Sequence, residues 1–269
     1  MTRITEQDSL YRHLEKMSIA ELTAHINNED KKVALAIEKV LPEINLLIGS
    51  IVKQLEAGGR LFYLGAGSGG RLSVLDAIEL PTTYGIPKGI VNVILAGGVE
   101  HLIEAREEEE DNREAGWLAL QSHDISAKDF VLGISASGTT PFVLASLKAC
   151  RQNGIPTGCI VSNPESAIAS QADFPVEVIT GPEFVTGSTR MKSGTAQKMI
   201  FDMISTTAMI RLGRVEDNKM VNVLLINDKI IDRSVKMLME RSGITDYEKA
   251  KALLTEKGSV KKALNHLGK

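Results

Sequence analysis

The sequence has 269 residues, a formal net charge of −3 and 4% aromatic residues. Its length allows one α/β domain with helical additions, whereas the small negative charge and the few aromatic residues argue against nucleic-acid binding. The longest apolar runs have only the length of strands, and the first residues lack the apolar region of a signal peptide. We therefore expect no membrane partner and a cytoplasmic location.

The first predicted elements are helices. Ser18 followed by Glu21 is typical of a capping box, which begins a short helix. Apolar residues at helical spacing predict a second, longer helix over residues 29–55, and Pro42 is expected to kink or split it. We assign residues 1–57 to N-terminal helices that pack on the core.

From residue 58 onward, predicted strands alternate with predicted helices. This alternation is typical of an α/β fold, a doubly wound parallel sheet with helices on both faces. The predicted strands are residues 61–64, 91–95, 130–134, 158–161 and 176–179. The predicted helices between them are residues 71–79, 99–120, 141–153 and 165–171. We assign residues 58–225 to this single domain.

After Thr189 the chain is predicted to be mainly helical. A long helix is expected over residues 190–212, and shorter helices are expected over residues 228–241, 247–256 and 259–267. We interpret residues 226–269 as a small C-terminal helical appendage.

Two loops rich in glycine and hydroxyl residues each lie between a predicted strand and a predicted helix. They are residues 65–71 (Gly-Ala-Gly-Ser-Gly-Gly-Arg) and residues 135–141 (Ser-Ala-Ser-Gly-Thr-Thr-Pro). Backbone N–H groups at a helix N-terminus are unpaired and attract anions, and glycine lets a ligand approach them closely. Two such loops in one chain indicate a phosphorylated small molecule as the ligand.

The second loop is the more specific of the two. Ser135, Ser137 and Thr140 can surround a phosphate with side-chain donors while the helix start adds amide donors. A purely structural alternative is that Thr139 or Thr140 caps the helix that Pro141 begins. We favour phosphate binding because capping needs only one hydroxyl.

The first loop also fits the dinucleotide-binding fingerprint, with glycine at positions 65, 67 and 70. That fold needs an acidic residue about 20 residues further on to bind a ribose hydroxyl. Here the next predicted strand ends in Ala96-Gly97-Gly98, and the nearest acid is Glu100. A dinucleotide is therefore disfavoured, and because the 5 histidines lack metal-ligand spacing, we expect neither cofactor nor metal.

Two acidic segments are candidates for acid–base chemistry. Glu79 lies between Ile78 and Leu80, so we expect partial burial, which would raise its pKa and suit a proton donor. The acidic run over residues 107–111 is typical of a solvated helix face. Composition does not single out one member of that run.

Basic and hydroxyl residues crowd the predicted start of the long helix, over residues 186–198. Arg190 and Lys192 lie there, where the helix dipole favours acidic residues instead. We therefore expect an anion or an acidic partner at this point, which makes the segment a second candidate anion contact.

Taken together, these segments resemble the N-acetylmuramic acid 6-phosphate etherases, members of the sugar isomerase (SIS) fold superfamily. The matching stretches are residues 63–72, 76–85, 96–98, 135–141, 162–164 and 186–198. The resemblance runs from about Ser18 to the C-terminal helices, and residues 186–198 are its most specific part. It implies a single SIS-type sheet and a homodimer with active sites near the interface.

The resemblance also implies an activity. It is cleavage of the D-lactyl ether of N-acetylmuramic acid 6-phosphate, in amino-sugar catabolism or cell-wall recycling, without a metal or organic cofactor. It implies catalytic roles for Glu79, which we assign as proton donor, and for Glu110, which we assign as base. The substrate- and phosphate-binding residues implied are Ser68, Gly69, Ser135, Ser137, Gly138, Thr139, Thr140, Ser188 and Lys192.

One position departs from the family pattern. The family usually reads Gly-Thr-Ser-Gly-Arg where this chain has Gly67-Ser68-Gly69-Gly70-Arg71. A hydroxyl is thus lost at Gly69, so any ligand contact from that position is made by the backbone. Two alternatives stay open from the sequence: a non-catalytic sugar-phosphate regulator of the same fold, and an aldose–ketose isomerase, which also needs a base at C2.

Overall fold

The computed structural model describes residues 3–104 and 106–268. Contacts within the chain define two compact units. The first consists of residues up to 77 together with residues 90–204, and the second consists of residues 78–89 together with residues from 205 onward. None of the helices within the described ranges is long and apolar enough to cross a membrane.

The first unit is built on a five-stranded parallel sheet, which confirms the predicted fold class. Its strands are β1 (Leu61–Gly65), β2 (Val91–Leu95), β3 (Phe130–Ser135), β4 (Thr157–Val161) and β5 (Phe174–Glu177). They lie in the order β2-β1-β3-β4-β5. The three central strands are buried along their whole length, which is why their sequences are almost continuously apolar.

Six longer helices accompany this sheet. They are α1 (Ile19–Glu38), α2 (Leu41–Glu56), α3 (Gly67–Tyr84), α4 (Ala115–Ser122), α5 (Pro141–Gln152) and α6 (Lys192–Arg211). The predicted capping box is confirmed, because the Ser18 hydroxyl accepts from the Glu21 N–H while the Glu21 carboxylate accepts from the Ser18 N–H. The predicted split near Pro42 is confirmed, since α1 ends at Glu38 and α2 begins at Leu41 with Pro42 in its first turn, where its missing N–H is not needed. Residues 19–38 form one continuous helix, so the predicted start of a new helix at residue 29 is wrong.

Three further predicted elements are wrong. Residues 99–120 form two short 3₁₀ turns, Val99–His101 and Glu107–Asp111, followed only by α4. Asn112 explains the late start of α4, because its side-chain oxygen accepts from the backbone N–H groups of residues 114 and 115. Residues 165–171 contain only a 3₁₀ turn at Ala169–Gln171, and β5 begins two residues before the predicted strand.

The second unit is mainly helical and has its own apolar core. Its helices α7 (Asp228–Ser242), α8 (Tyr247–Lys257) and α9 (Val260–His266) match the predicted ones closely. A two-residue hairpin that the sequence did not reveal, β6 (Val215–Glu216) with β7 (Lys219–Met220), precedes them. The core includes Val221, Val235, Leu238, Ala250, Leu254 and Ala263.

Candidate functional site

The strand order reverses at the carboxyl ends of β1 and β3. Gly65 at the end of β1 lies opposite Ile134 of β3 on one side and Leu95 of β2 on the other. In open parallel sheets ligands bind at such a switch point, because the loops that leave the two strands diverge to opposite faces and open a crevice. Both glycine- and hydroxyl-rich loops begin here.

The second loop, residues 135–141, folds around its own hydroxyl groups, and we call it the hydroxyl loop. Ser135 Oγ lies 3.2 Å from Ser137 Oγ and 2.8 Å from Thr140 Oγ1, and it accepts from the Gly138 N–H at 3.1 Å. Gly138 has a φ of +70°, and a Cβ atom there would lie 2.4 Å from Ser166 Cβ, so the turn requires glycine. The Thr140 side chain makes no capping hydrogen bond to α5, so the Thr140 hydroxyl does not serve as the cap of this helix.

A cavity of about 170 Å³ opens beside this loop. It brings Ser68, Gly69, Ser135, Ser137, Thr140 and Glu110 together. Its remaining lining residues are Glu6, Ala66, Gly67, Ala136, Gly187, Thr189 and Gln197. A small, mostly polar cavity at a helix start suits a phosphorylated ligand.

Other predicted binding residues lie near this lining without forming it. Thr139 is half-buried in the hydroxyl loop, where its hydroxyl bonds Ser137 Oγ at 3.3 Å. Ser188 is half-buried between two lining residues, Gly187 and Thr189, and its backbone N–H bonds the Val185 carbonyl at 2.9 Å.

Glu110 is distinguished from the rest of its acidic run by its surroundings. It is half-buried, and a Cβ atom on Gly67 would lie only 2.6 Å from Glu110 Oε1, so its carboxyl group reaches the first residue of α3. Burial raises the pKa of Glu110, and the neighbouring Glu107 carboxylate raises it further. Arg71 pairs with Glu107 and partly opposes this shift.

This arrangement equips the cavity for proton transfer. A carboxyl group with a raised pKa is a stronger proton acceptor than an ordinary one, and it can take up a proton from a ligand and release it again. The hydroxyl loop in the same cavity can hold an anionic group in place meanwhile.

Asn163 ties the N-terminal segment to the hydroxyl loop. Its side-chain nitrogen lies 3.1 Å from the Ser137 carbonyl oxygen and 2.9 Å from Thr5 Oγ1, and its oxygen accepts from the Thr5 N–H at 3.2 Å. This brings Glu6 to the cavity. Sequence reasoning missed Glu6, which belongs to no glycine- or hydroxyl-rich loop, and it did not single out Gln197 within the candidate segment over residues 186–198.

Lys192 forms a buried ion pair that the sequence did not reveal. Its side chain is buried, and its Nζ atom lies 2.6 Å from Glu29 Oε2. Burial favours a raised pKa for Glu29, but hydrogen bonds from Lys192, Lys32 and Tyr11 outweigh it and lower that pKa to about 2. Lys192 therefore pairs with Glu29 and is not among the residues that line the cavity.

An acidic partner was also expected at the start of α6, and Glu183 is that partner. One oxygen of its buried carboxylate accepts from the Lys192 N–H at 2.8 Å, and the other accepts from the Ser193 N–H at 2.9 Å. The carboxylate thus satisfies two backbone donors and compensates the helix dipole.

Glu79 lies in the second unit, on α3, and its side chain is exposed. The partial burial that we expected from its apolar neighbours is not observed, since Ile78 is itself 62% exposed. Leu80 alone points into the interior, at 3% exposure, because successive residues of a helix face different directions.

No group of three or more histidine, cysteine, aspartate or glutamate residues within the described ranges could hold a metal ion. Cys150 and Cys159 are both free and buried. Burial raises the pKa of each thiol to about 12, so neither is a reactive thiolate.

Comparisons with known proteins give matches along nearly the whole chain. Family models for the glucokinase regulatory protein N-terminal SIS domain and for the SIS domain match residues 43–151 and 118–206, respectively. The chain is 53% identical over 263 residues to the N-acetylmuramic acid 6-phosphate etherase of Bacteroides fragilis, covering 98% of this chain and 93% of that one. It is 54% identical over 259 residues to the etherase of Porphyromonas gingivalis, with 96% and 94% covered.

A solved structure supports the fold. The phosphoheptose isomerase of Neisseria gonorrhoeae superposes with a TM-score of 0.54 at 13% identity, covering 70% of this chain and 97% of that one. At this identity the likeness concerns the fold alone, and it agrees with the SIS-type sheet described above.

Proposed function

Since the chain belongs to the N-acetylmuramic acid 6-phosphate etherase family, we infer that it cleaves the D-lactyl ether of N-acetylmuramic acid 6-phosphate. The products are N-acetylglucosamine 6-phosphate and D-lactate. The observation that carries this proposal is the meeting, in one cavity, of a hydroxyl loop suited to phosphate and of Glu110, whose pKa is raised by burial.

The chemistry follows from the open-chain form of the sugar. The C1 aldehyde acidifies the proton at C2, and the lactyl ether at C3 is β to that carbonyl. A base removes the C2 proton, the C3–O bond breaks, and an acid protonates the departing ether oxygen. Water then adds to the unsaturated intermediate at C3. Two carboxyl groups are sufficient for these transfers.

We propose Glu110 as the base. A raised pKa makes its carboxylate a stronger proton acceptor than an ordinary glutamate carboxylate. Ser135, Ser137 and Thr140 are proposed to hold the 6-phosphate, with donors from Gly138, Thr139 and the start of α5. Ser68, Gly69 and Ser188 are proposed to lie near the sugar.

We propose Glu79 as the proton donor, on the strength of its match to the family pattern. The Glu79 side chain is exposed in the single chain. We therefore propose a homodimer in which a second copy of the chain covers Glu79. Large apolar side chains in the same unit, Ile78, Leu224 and Ile226, are 62%, 42% and 59% exposed. Such side chains are what a homodimer interface would bury.

Sedimentation tests the homodimer. The wild-type chain is expected to sediment as a dimer, and Ile226→Glu is expected to shift it toward the monomer with loss of activity. A fully active monomer would contradict this part of the proposal.

A cytoplasmic location is proposed because a phosphorylated sugar is charged and does not cross a bilayer unaided. Cell fractionation checks it, and recovery of the chain outside the cytoplasm would contradict it.

The activity is tested by incubating the purified chain with N-acetylmuramic acid 6-phosphate and measuring D-lactate. Stoichiometric D-lactate and N-acetylglucosamine 6-phosphate are expected. A sugar-phosphate isomerase would rearrange a sugar phosphate without releasing lactate, and a non-catalytic regulator would bind without turnover. Either of those results would contradict the etherase assignment.

A further inference from the structure

Gln197 lies on the second turn of α6 and is 1% exposed, yet it lines the cavity that holds Glu110 and the hydroxyl loop. Its side-chain nitrogen Nε2 has no hydrogen-bond partner among the described residues. Buried amide nitrogens without a partner are uncommon in folded proteins, because losing water without gaining a partner is unfavourable. This one therefore requires an explanation.

The carboxamide of Gln197 stands directly beside Gly69. A Cβ atom on residue 69 would lie 3.0 Å from Gln197 Oε1 and 2.7 Å from the Ile134 Cγ2 atom. Gly69 thus leaves the space into which Gln197 extends, and position 69 itself supplies no side-chain donor. Gln197 is a side-chain amide next to the backbone that a ligand would approach.

Within the described part of the chain, the nitrogen of the Gln197 carboxamide makes no hydrogen bond that would fix the orientation of the amide. Rotation about the last side-chain torsion exchanges the oxygen and the nitrogen of a carboxamide. Because Nε2 has no partner to lose, this rotation sacrifices no hydrogen bond made by Nε2. It would turn two N–H donors toward Gly69 and the cavity.

We propose that Gln197 is a ligand-binding residue whose amide donates a hydrogen bond to an oxygen atom of the bound sugar phosphate. This inference rests on the proposed function for the identity of the ligand. It assigns the unpartnered nitrogen a role in binding, and it adds a donor on α6 to those on the hydroxyl loop.

The test compares Gln197→Met with Gln152→Met, a matched change at an exposed glutamine near the end of α5. Calorimetry measures the affinity for N-acetylglucosamine 6-phosphate and for inorganic phosphate, and thermal unfolding measures stability. For Gln197→Met we expect roughly 10-fold weaker binding of the sugar phosphate, the effect of one lost hydrogen bond. We expect an unchanged or higher Tm, since an unpaired polar group is removed. Gln152→Met should change neither quantity.

Binding of inorganic phosphate shows whether the acceptor of the Gln197 hydrogen bond is on the phosphate group or on the sugar. An equal loss of phosphate affinity assigns the acceptor to the phosphate group, and a loss only with the sugar phosphate assigns it to the sugar. Unchanged affinity for both ligands would overturn the proposal, and a lower Tm in the same variant would make Gln197 a packing residue.

Gln197→Glu supplies a second variant should the methionine variant fail to fold, since it keeps the shape of the side chain. Its negative charge should weaken sugar-phosphate binding more than 10-fold, and wild-type affinity in this variant would also overturn the proposal. Lactate release by the wild-type chain tests the proposed function independently of the Gln197 variants. If the wild type releases lactate while Gln197→Met binds normally, only the inference about Gln197 fails.

Discussion

Glu110 and Glu107 line one small cavity together with Arg71, and Glu107 pairs with Arg71. The three side chains therefore form a short charged chain that ends at the cavity. Burial raises the pKa of Glu110 first, and the Glu107 carboxylate adds to the rise. This relationship makes the protonation of Glu110 dependent on a neighbour whose charge can be removed by mutation.

Glu107→Gln is expected to lower the pKa of Glu110, because the neighbouring negative charge is lost. A base must be ionised to act, so activity falls on the acid side as pH drops through that pKa. The acid limb of the kcat/KM profile should therefore move to lower pH. Glu108→Gln, at an exposed position of the same turn, is the control and should leave the profile in place. An unmoved profile in Glu107→Gln, or equal shifts in both variants, would contradict this role.

Glu110→Gln and Glu79→Gln should each fold normally and still bind sugar phosphate, since the amide keeps the size of the side chain. Lactate release should fall roughly 10²–10⁴-fold, the typical contribution of a positioned acid or base. Glu108→Gln should be nearly silent. Steady-state lactate assays check this, and full activity in either of the first two variants would remove that glutamate from the mechanism.

Ser137→Ala should weaken binding of N-acetylglucosamine 6-phosphate by about 1.5–3 kcal/mol, the usual contribution of a hydrogen bond to a charged group. Ser137 lies in the hydroxyl loop, within 3.2 Å of Ser135 Oγ. Ser122→Ala, at an exposed serine on α4, is the calorimetric control. Wild-type affinity in Ser137→Ala would argue against phosphate binding at this loop.

Lys192→Met is expected to act on stability rather than on catalysis. It leaves the buried carboxylate of Glu29 with fewer partners, and breaking a buried ion pair typically costs about 3–5 kcal/mol. Lys198→Met, which removes a half-exposed pair with Asp202, should cost about 0.5 kcal/mol or less. Thermal unfolding and KM are measured for both variants. A raised KM with an unchanged Tm would restore Lys192 as a substrate contact.

The case of Lys192 shows which part of the site the sequence could not predict. Its basic charge at a helix start correctly called for an acidic partner, but Glu29 lies 163 positions away in the chain. No local pattern links two residues so far apart. Glu6 was missed for the same reason, since it reaches the cavity from the N-terminal segment. Gln197 lies within the candidate segment over residues 186–198, but its residue type alone did not distinguish it there.

Local chemistry explains the parts that were predicted. Buried parallel strands require continuous apolar runs, so β1 to β4 were found within a residue or two. Their glycine- and hydroxyl-rich ends identified the cavity, because parallel strands end at one edge of the sheet. The prediction of one helix over residues 99–120 was wrong because the acidic 3₁₀ turn and the hydrogen bonds of the Asn112 side chain interrupt the helix there.

The most direct test of the central claim is turnover of N-acetylmuramic acid 6-phosphate by the purified chain in deuterated water, followed by mass spectrometry and NMR of the products. Elimination through a C2 carbanion, followed by hydration, predicts D-lactate together with N-acetylglucosamine 6-phosphate that carries deuterium at C2. Absence of D-lactate, or D-lactate accompanied by a product with only protium at C2, would contradict the account.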